Sequence, residues 1–314
     1  MRSAVLFILL AAAGVSAFVA SVACTAILDT SVEQCVADGD CAARGFATTR
    51  CVEHVCVASN LTTDAAADAP VDAPPVDPIR GCLGNVKWEP EDPTIKINLR
   101  GRYVRFLGEA PVADMAIKAC GRLDPSCAVS LGSATTDADG YYNLKVSKGF
   151  AGFLALTPPA NFTEMVPALV YPIPPPTIDQ PLDTKIGNDL SAHVTTVGEL
   201  NFLLDQIGSA VDPGLGHIFG LALDCQGKPA ADVSLRVSVR DKKTITYYTT
   251  EATGLPSPDG QATTARGEAG FMNLPAGPVT VEATTSPGRT WGQYTVLVKP
   301  GHIIYLPMPP SPSP

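Results

Sequence analysis

The feature that most limits what this chain can become is a repeat. Pro111-Val-Ala-Asp-Met-Ala-Ile117 matches Pro229-Ala-Ala-Asp-Val-Ser-Leu235, and further along Gly140-Tyr-Tyr-Asn-Leu144 matches Gly270-Phe-Met-Asn-Leu274. A Thr pair precedes each second block, Thr135-Thr136 and Thr263-Thr264, and the interval between blocks is 12 residues longer in the second copy. Repetition on this scale means two similar domains, since the units of a solenoid are shorter. Within the copies, apolar residues fall at every second position. Val233, Leu235, Val237 and Val239 alternate with Ser234, Arg236, Ser238 and Arg240; Met115, Ile117, Ala119 and Tyr142, Leu144, Val146 do the same. A period of two puts one face of a strand into a core. Short strands separated by Gly, Pro and Asp turns predict an all-β fold of two antiparallel β-sandwich domains.

One helix is expected between them. Leu200, Leu203, Leu204 and Ile207 follow helical spacing, Thr196 and Glu199 form a Thr-x-x-Glu capping box, and Gly208 ends the run. It reads as a connector that lays its leucine face on a sandwich.

The amino terminus reads as an export signal. Arg2 supplies the positive region, Ala4 to Val19 the apolar stretch, and Ser21-Val22-Ala23 the small residues before Cys24. Ser-Val-Ala-Cys resembles the bacterial lipobox, with Ser21 where that motif usually has Leu, and the resemblance implies a lipid on Cys24. Ordinary signal peptidase would instead leave a free cysteine. The chain has nine Cys, and lipidating Cys24 leaves eight that can pair. Thr25 after the cysteine, by resemblance to Gram-negative lipoproteins, favours the outer membrane.

Cys35, Cys41, Cys51 and Cys56 lie within 22 residues. A segment that short cannot bury a core, and an exported chain meets an oxidising compartment, so disulfides are expected with the connectivity open. The spacing lacks the tight Cys-x2-Cys pairs of zinc sites. Residues 58–80, rich in Ala, Asp and Pro, read as an extended linker. The organisation is therefore residues 1–23 signal peptide, 24–57 lipidated Cys and Cys-rich module, 58–80 linker, 81–184 first sandwich, 185–214 helical connector, and 215–314 second sandwich. Of the remaining cysteines, Cys120 and Cys127 flank a short polar loop and pair most economically. That leaves Cys82 for Cys225.

The shared pattern is Gly-x-Pro, an alternating strand, Thr-Asp-x-x-Gly, then aromatic-x-Asn-Leu. It resembles the carboxypeptidase regulatory-like domain, a transthyretin-like sandwich also grouped with carbohydrate-binding-like folds. Gly227-Lys-Pro229 and Gly270-Phe-Met-Asn-Leu-Pro-Ala-Gly277 carry it best; the first copy has Thr136-Asp-Ala-Asp-Gly140 but not the Leu-Pro-x-Gly turn. The whole plan resembles surface lipoproteins of myxobacteria. These motifs are turns and strand positions, so they imply fold more than task.

Function classes narrow by chemistry. The formal charge of −9 becomes −10 without Arg2, and no basic cluster offsets it, so nucleic acid is an unsuitable partner. None of the four His begins a His-x-x-Glu pair, and there is no nucleophile elbow or phosphate loop. No catalytic residue, metal or cofactor is therefore expected. Asp137-Ala-Asp139-Gly140 reads as a turn rather than a calcium loop. Trp291, set among glycines, and Tyr248, one of an adjacent Tyr pair of which one should face outward, are the ligand-facing candidates. The expected function is a lipid-anchored envelope protein that displays sandwiches for binding, adhesion or assembly, its partners the membrane and a glycan or envelope protein. The alternatives are a carbohydrate-binding module or a spacer beside an envelope enzyme.

Overall fold

The computed structural model describes residues 35–43, 49–52, 54–58, 79–180, 193–286 and 288–312. The export signal, Cys24, nearly all of the 58–80 linker and the start of the connector lie outside the described residues. The chain divides into two compact units, Met1–Pro74 and Pro75–Pro314. In the first, helix α1 (Asp38–Ala43) precedes the hairpin of β1 (Thr49–Val52) and β2 (Val55–Ala58). Asp40 accepts the Val36 and Ala37 amides at the start of α1. Cys35 is bonded to Cys51, and Cys41 is also in a disulfide.

The second unit holds both repeats. The first copy contains β3 (Asp92–Arg102), β4 (Val104–Arg105), β5 (Ala116–Cys120), β6 (Gly132–Thr135), β7 (Tyr141–Lys148), β8 (Phe153–Thr157) and β9 (Ala168–Val170). After β10 (His193–Val194) and α2 (Val197–Gln206) come β11 (Gly216–Ala222), β12 (Val233–Val237), β13 (Ile245–Thr249), β14 (Pro256–Ser257), β15 (Glu268–Leu274), β16 (Gly277–Thr285), β17 (Arg289–Val298) and β18 (Ile303–Met308). Each copy is a sandwich, as the alternation predicts, but the two sandwiches share a layer. One nine-stranded sheet runs β14-β13-β15-β11-β18-β9-β8-β5-β6 through both.

Adjacent residues of this sheet point into different cores. Leu154, Leu156, Phe219 and Tyr305 pack with Leu99 and Leu144 of the β3–β7 pair and with the leucines of α2. Their neighbours Phe153, Ile218, Ile304 and Leu306 pack with Val281 and Val296 of the β12–β16–β17 sheet. The shared sheet is thus covered on both faces. This explains two of its central strands, Gly-His-Ile-Phe-Gly-Leu-Ala and Ile-Ile-Tyr-Leu-Pro-Met, which do not alternate. It also explains a departure from the antiparallel expectation. β18 pairs in parallel with both β11 and β9, an arrangement found where both faces are buried.

The repeat is visible bond by bond. Thr136 Oγ1 donates to Val112 O and accepts from Met115 N; Thr263 Oγ1 donates to Ala230 O and accepts from Val233 N. Asp114 and Asp232 both take left-handed backbone, φ 58° and 61°, and give their amides to the Thr136 and Thr263 carbonyls. Leu99 sits opposite Leu144 as Ile218 sits opposite Phe271. These bonds correct the alignment of the second blocks. The counterpart of Gly140 is Gly267, not Gly270: both have positive φ, and a Cβ on either would strike a backbone carbonyl, that of Tyr103 just after β3 or that of Ala222 at the end of β11. The true match is Thr136-Asp-Ala-Asp-Gly140 with Thr263-Thr-Ala-Arg-Gly267. The Thr bonds span 24 and 33 residues, so the second interval is nine longer, not 12.

That interval is where the copies diverge. In the first, the Cys120–Cys127 bridge closes the loop between β5 and β6. In the second, the added residues cross to the shared sheet and place β13 and β14 beside β15. Helix α2 has its capping box, Thr196 Oγ1 accepting Glu199 N while Glu199 accepts Thr196 N. It ends in the paired bonds Ser209 N to Leu204 O and Gly208 N to Asp205 O. Cys82 is bonded to Cys225, tying the start of the unit to the loop after β11.

Two measurements check this account. Gly267→Ala should lose more than about 2 kcal/mol in urea unfolding, because backbone sterics add to the unfavourable φ. Gly227→Ala, also at positive φ but in open space, should lose about 1 kcal/mol; equal losses would refute the close approach. Removing Cys82–Cys225, which spans 143 residues, should destabilise by up to about 5 kcal/mol, and removing Cys120–Cys127, which spans 7, by about half as much. The reverse order would be inconsistent with the cross-link acting on the unfolded chain.

Candidate functional site

Both ligand-facing residues expected from sequence are buried. Trp291 is 1% exposed, and its indole N–H donates to Met308 O at 2.9 Å beneath the carboxy-terminal segment. Tyr248 is 5% exposed, and its hydroxyl accepts Leu235 N at 2.8 Å. The expectation that one of Tyr247 and Tyr248 faces water assumed a sheet with an open face. Tyr247 enters one core and Tyr248 the other, so the pair is buried on both sides. Asp137 acts as a turn residue, its carboxylate accepting the amides of Asp139 and Tyr141. Trp88 is the tryptophan left partly open. It stands beside a groove of about 460 Å³ lined by Pro174, Pro175, Pro309 and Pro310.

Among the described residues, a second, mainly apolar pocket lies at the margin of α2, where the shared sheet emerges from under the helix. It has a volume of about 190 Å³. Among the described residues, its floor is Phe219, Tyr247 and Met272 of β11, β13 and β15, and Leu203 of α2 forms one wall. Phe106 and His193 stand at a second wall, their rings edge-on with centroids 6.2 Å apart. The third side comes from the interval special to the second copy, with Thr249, Gly254 and Pro256. Arg266 and Glu268 complete the rim. Arg266 Nε and Nη2 donate to the two Glu268 oxygens at 3.0 and 3.4 Å, so the charges are mutually satisfied. Gly254 has φ 68°, the left-handed backbone that favours glycine, and it lies against the end of the Arg266 side chain. An apolar hollow with a few convergent polar groups is the usual form of a small-molecule site. Sequence reasoning missed it because its walls come from well-separated segments of both copies. The one available signal was the long interval of the second copy.

The titratable groups of the cores are tuned by burial rather than by charge partners. Desolvation pushes the Tyr171 hydroxyl up to about 12 and raises Tyr247, Tyr294 and Tyr305 further. Tyr171 accepts Leu297 N at 2.7 Å, joining the two repeats, and Tyr305 shares a 2.9 Å hydroxyl bond with Thr195, joining the second repeat to the connector. His217, fully buried on β11, accepts Asn273 N on Nδ1 at 3.3 Å, which places its proton on Nε2. Among the described residues Nε2 has no partner, and desolvation lowers the His217 pKa to about 4. The unfolded chain, titrating near the ordinary value of 6.5, then binds more protons than the native one between these limits. Stability from this group is complete above about pH 6.5 and falls as pH drops towards 4, by ~3 kcal/mol in all. His217→Phe should flatten the slope of unfolding free energy over that window; an unchanged slope would show that His217 is not its source.

No known protein family matches the chain, and no curated protein matches it. Among solved structures, it is similar to the Bacillus anthracis TIE protein (12% identity, 69% of this chain and 34% of that one, TM-score 0.22). The chain thus spans about a third of that protein. It is also similar to the shaft pilin SpaA from Lactobacillus rhamnosus GG (10% identity, 70% of this chain and 100% of that one, TM-score 0.21). A third is GBS52, the minor pilin of Streptococcus agalactiae (11% identity, 69% and 98%, TM-score 0.20). At such scores the superpositions carry no argument, and the fold rests on the strand register above. Among the described residues, no helix is long and apolar enough to cross a membrane.

Proposed function

We propose that this chain is an exported, lipid-anchored envelope protein that presents two fused sandwiches as a rigid module for binding or assembly, without catalysis. The observation that carries the reading is the fusion itself. Two repeats that could have been beads on a string instead share one sheet, two cores and the Cys82–Cys225 bond. Such a body holds its surfaces in fixed relation, which suits a module that must hold shape at a distance from its anchor. The buried ionisable groups fit this use, since their shifts come from packing. The net charge of −9 argues against nucleic acid as partner. Lipidation of Cys24 and placement in the outer membrane follow from the sequence motif. The carbohydrate-binding alternative loses the platform proposed for it, since Trp291 and Tyr248 are interior.

Mass spectrometry of the mature amino terminus tests the anchor. A diacylglyceryl Cys24 in the membrane fraction is the expected result. An unmodified Cys24 in the medium, or an intact Met1, would overturn it.

A further inference from the structure

We propose that the pocket at the margin of α2 binds a small, neutral, single-ring molecule carrying a hydroxyl or carbonyl group, of the size of cresol. This specifies the binding half of the reading above and does not depend on how the chain is anchored.

Size sets the first limit. A dry engineered cavity of about 150 Å³ accepts benzene, so a half-open pocket of about 190 Å³ takes one substituted ring and no more. The floor of Phe219, Tyr247 and Met272 suits the face of a ring, with Phe219 and Tyr247 set edge to face at 6.3 Å. Methionine sulfur and aromatic edges are favourable neighbours for such a guest.

Charge sets the second limit. Arg266 is gripped by both oxygens of Glu268, whose side chain is 13% exposed. Neither a carboxylate nor an ammonium ligand finds an uncompensated counter-ion in this pair, and separating it would expose a half-buried charge. A neutral ligand leaves the pair intact and can take a hydrogen bond from the rim of His193, Thr249, Arg266 and Glu268. A hexose fits less well. Its many hydroxyls would face mainly apolar walls and lose water without replacement partners.

The rim also disfavours a peptide strand. The edge beside the pocket is β14, two residues long, and it contains Pro256, which has no amide to offer a further strand. The pocket exists only in combination. Leu203 comes from the connector, Phe106 from the first copy, and Pro256 from the interval that the first copy lacks. The second copy's added residues thus complete a hollow that neither repeat could form alone.

The test is methyl NMR on the full chain with labelled methionine. Met272 lines the pocket, whereas Met115, Met165 and Met308 are buried elsewhere and serve as internal references. Titration with p-cresol should move the Met272 signal saturably, with a dissociation constant on the order of 1 mM for so few atoms. Glucose, benzoate and benzylamine should move it little. Leu203→Trp, which fills the pocket from the helix side, should weaken p-cresol at least ten-fold while the reference methyls stay in place. If that variant fails to fold, nuclear Overhauser contacts between p-cresol and the Met272 methyl in the unaltered chain decide. No Met272 shift at about 10 mM p-cresol, no such contact, or a stronger response to glucose or to either ion would overturn the proposal. These outcomes are separate from the lipid measurement, so either result can fail alone.

Discussion

The structure depends on β18 being held in parallel between β11 and β9. Those pairings join a sheet of one repeat to a sheet of the other, and they occur where both faces of the sheet are covered. Parallel pairing is a little weaker per residue than antiparallel pairing, and burial on both sides compensates for it. Ile303 and Tyr305 enter one core while Ile304 and Leu306 enter the other. Through this strand each core includes residues from both copies, so loosening one repeat would disturb the packing of its partner.

Around that shared layer, the copies keep one device and vary the rest. The device is the buckle of Thr136 or Thr263, the left-handed Asp114 or Asp232, and the glycine that lets two backbones touch. It fixes where each copy's first long strand crosses the returning one. What varies is the interval beyond β5 and β12. A disulfide holds it short in the first copy, while in the second it crosses to the shared sheet and builds one side of a pocket. Difference between repeats, more than likeness, is what makes a site possible here.

The tyrosines show why burial of polar groups is tolerated in such a fold. Tyr171 crosses from the first repeat to Leu297 of the second, and Tyr305 reaches Thr195 of the connector; both end in hydrogen bonds, so their hydroxyls are interior and satisfied. Among the described residues, Arg80 Nε, Thr285 Oγ1 and His217 Nε2 are buried without a hydrogen-bond partner, and of these His217 is the group whose burial lowers its pKa. A buried imidazole of this kind is stable only while neutral.

Much of this was legible in the residues. The all-β class followed from alternation at Val233–Val237 and Met115–Ala119. The helix and both its ends followed from Thr196, Glu199 and Gly208, and the Cys120–Cys127 and Cys82–Cys225 pairs agree with simple economy. These are local matters, set by dihedral preference, hydrogen-bonding reach and loop length. Tertiary structure alone decided that the sandwiches share a sheet, because a doubly buried strand such as Ile303–Met308 has lost the alternation that reveals a face. For the same reason Trp291 and Tyr248 could be mistaken for surface residues. An adjacent pair on a strand must face opposite ways, but only packing determines whether water waits on either side. The alignment of Gly140 with Gly267 likewise needed the carbonyls of Tyr103 and Ala222, which sequence similarity does not register. The pocket, assembled from distant segments of both copies, had no local signature to read.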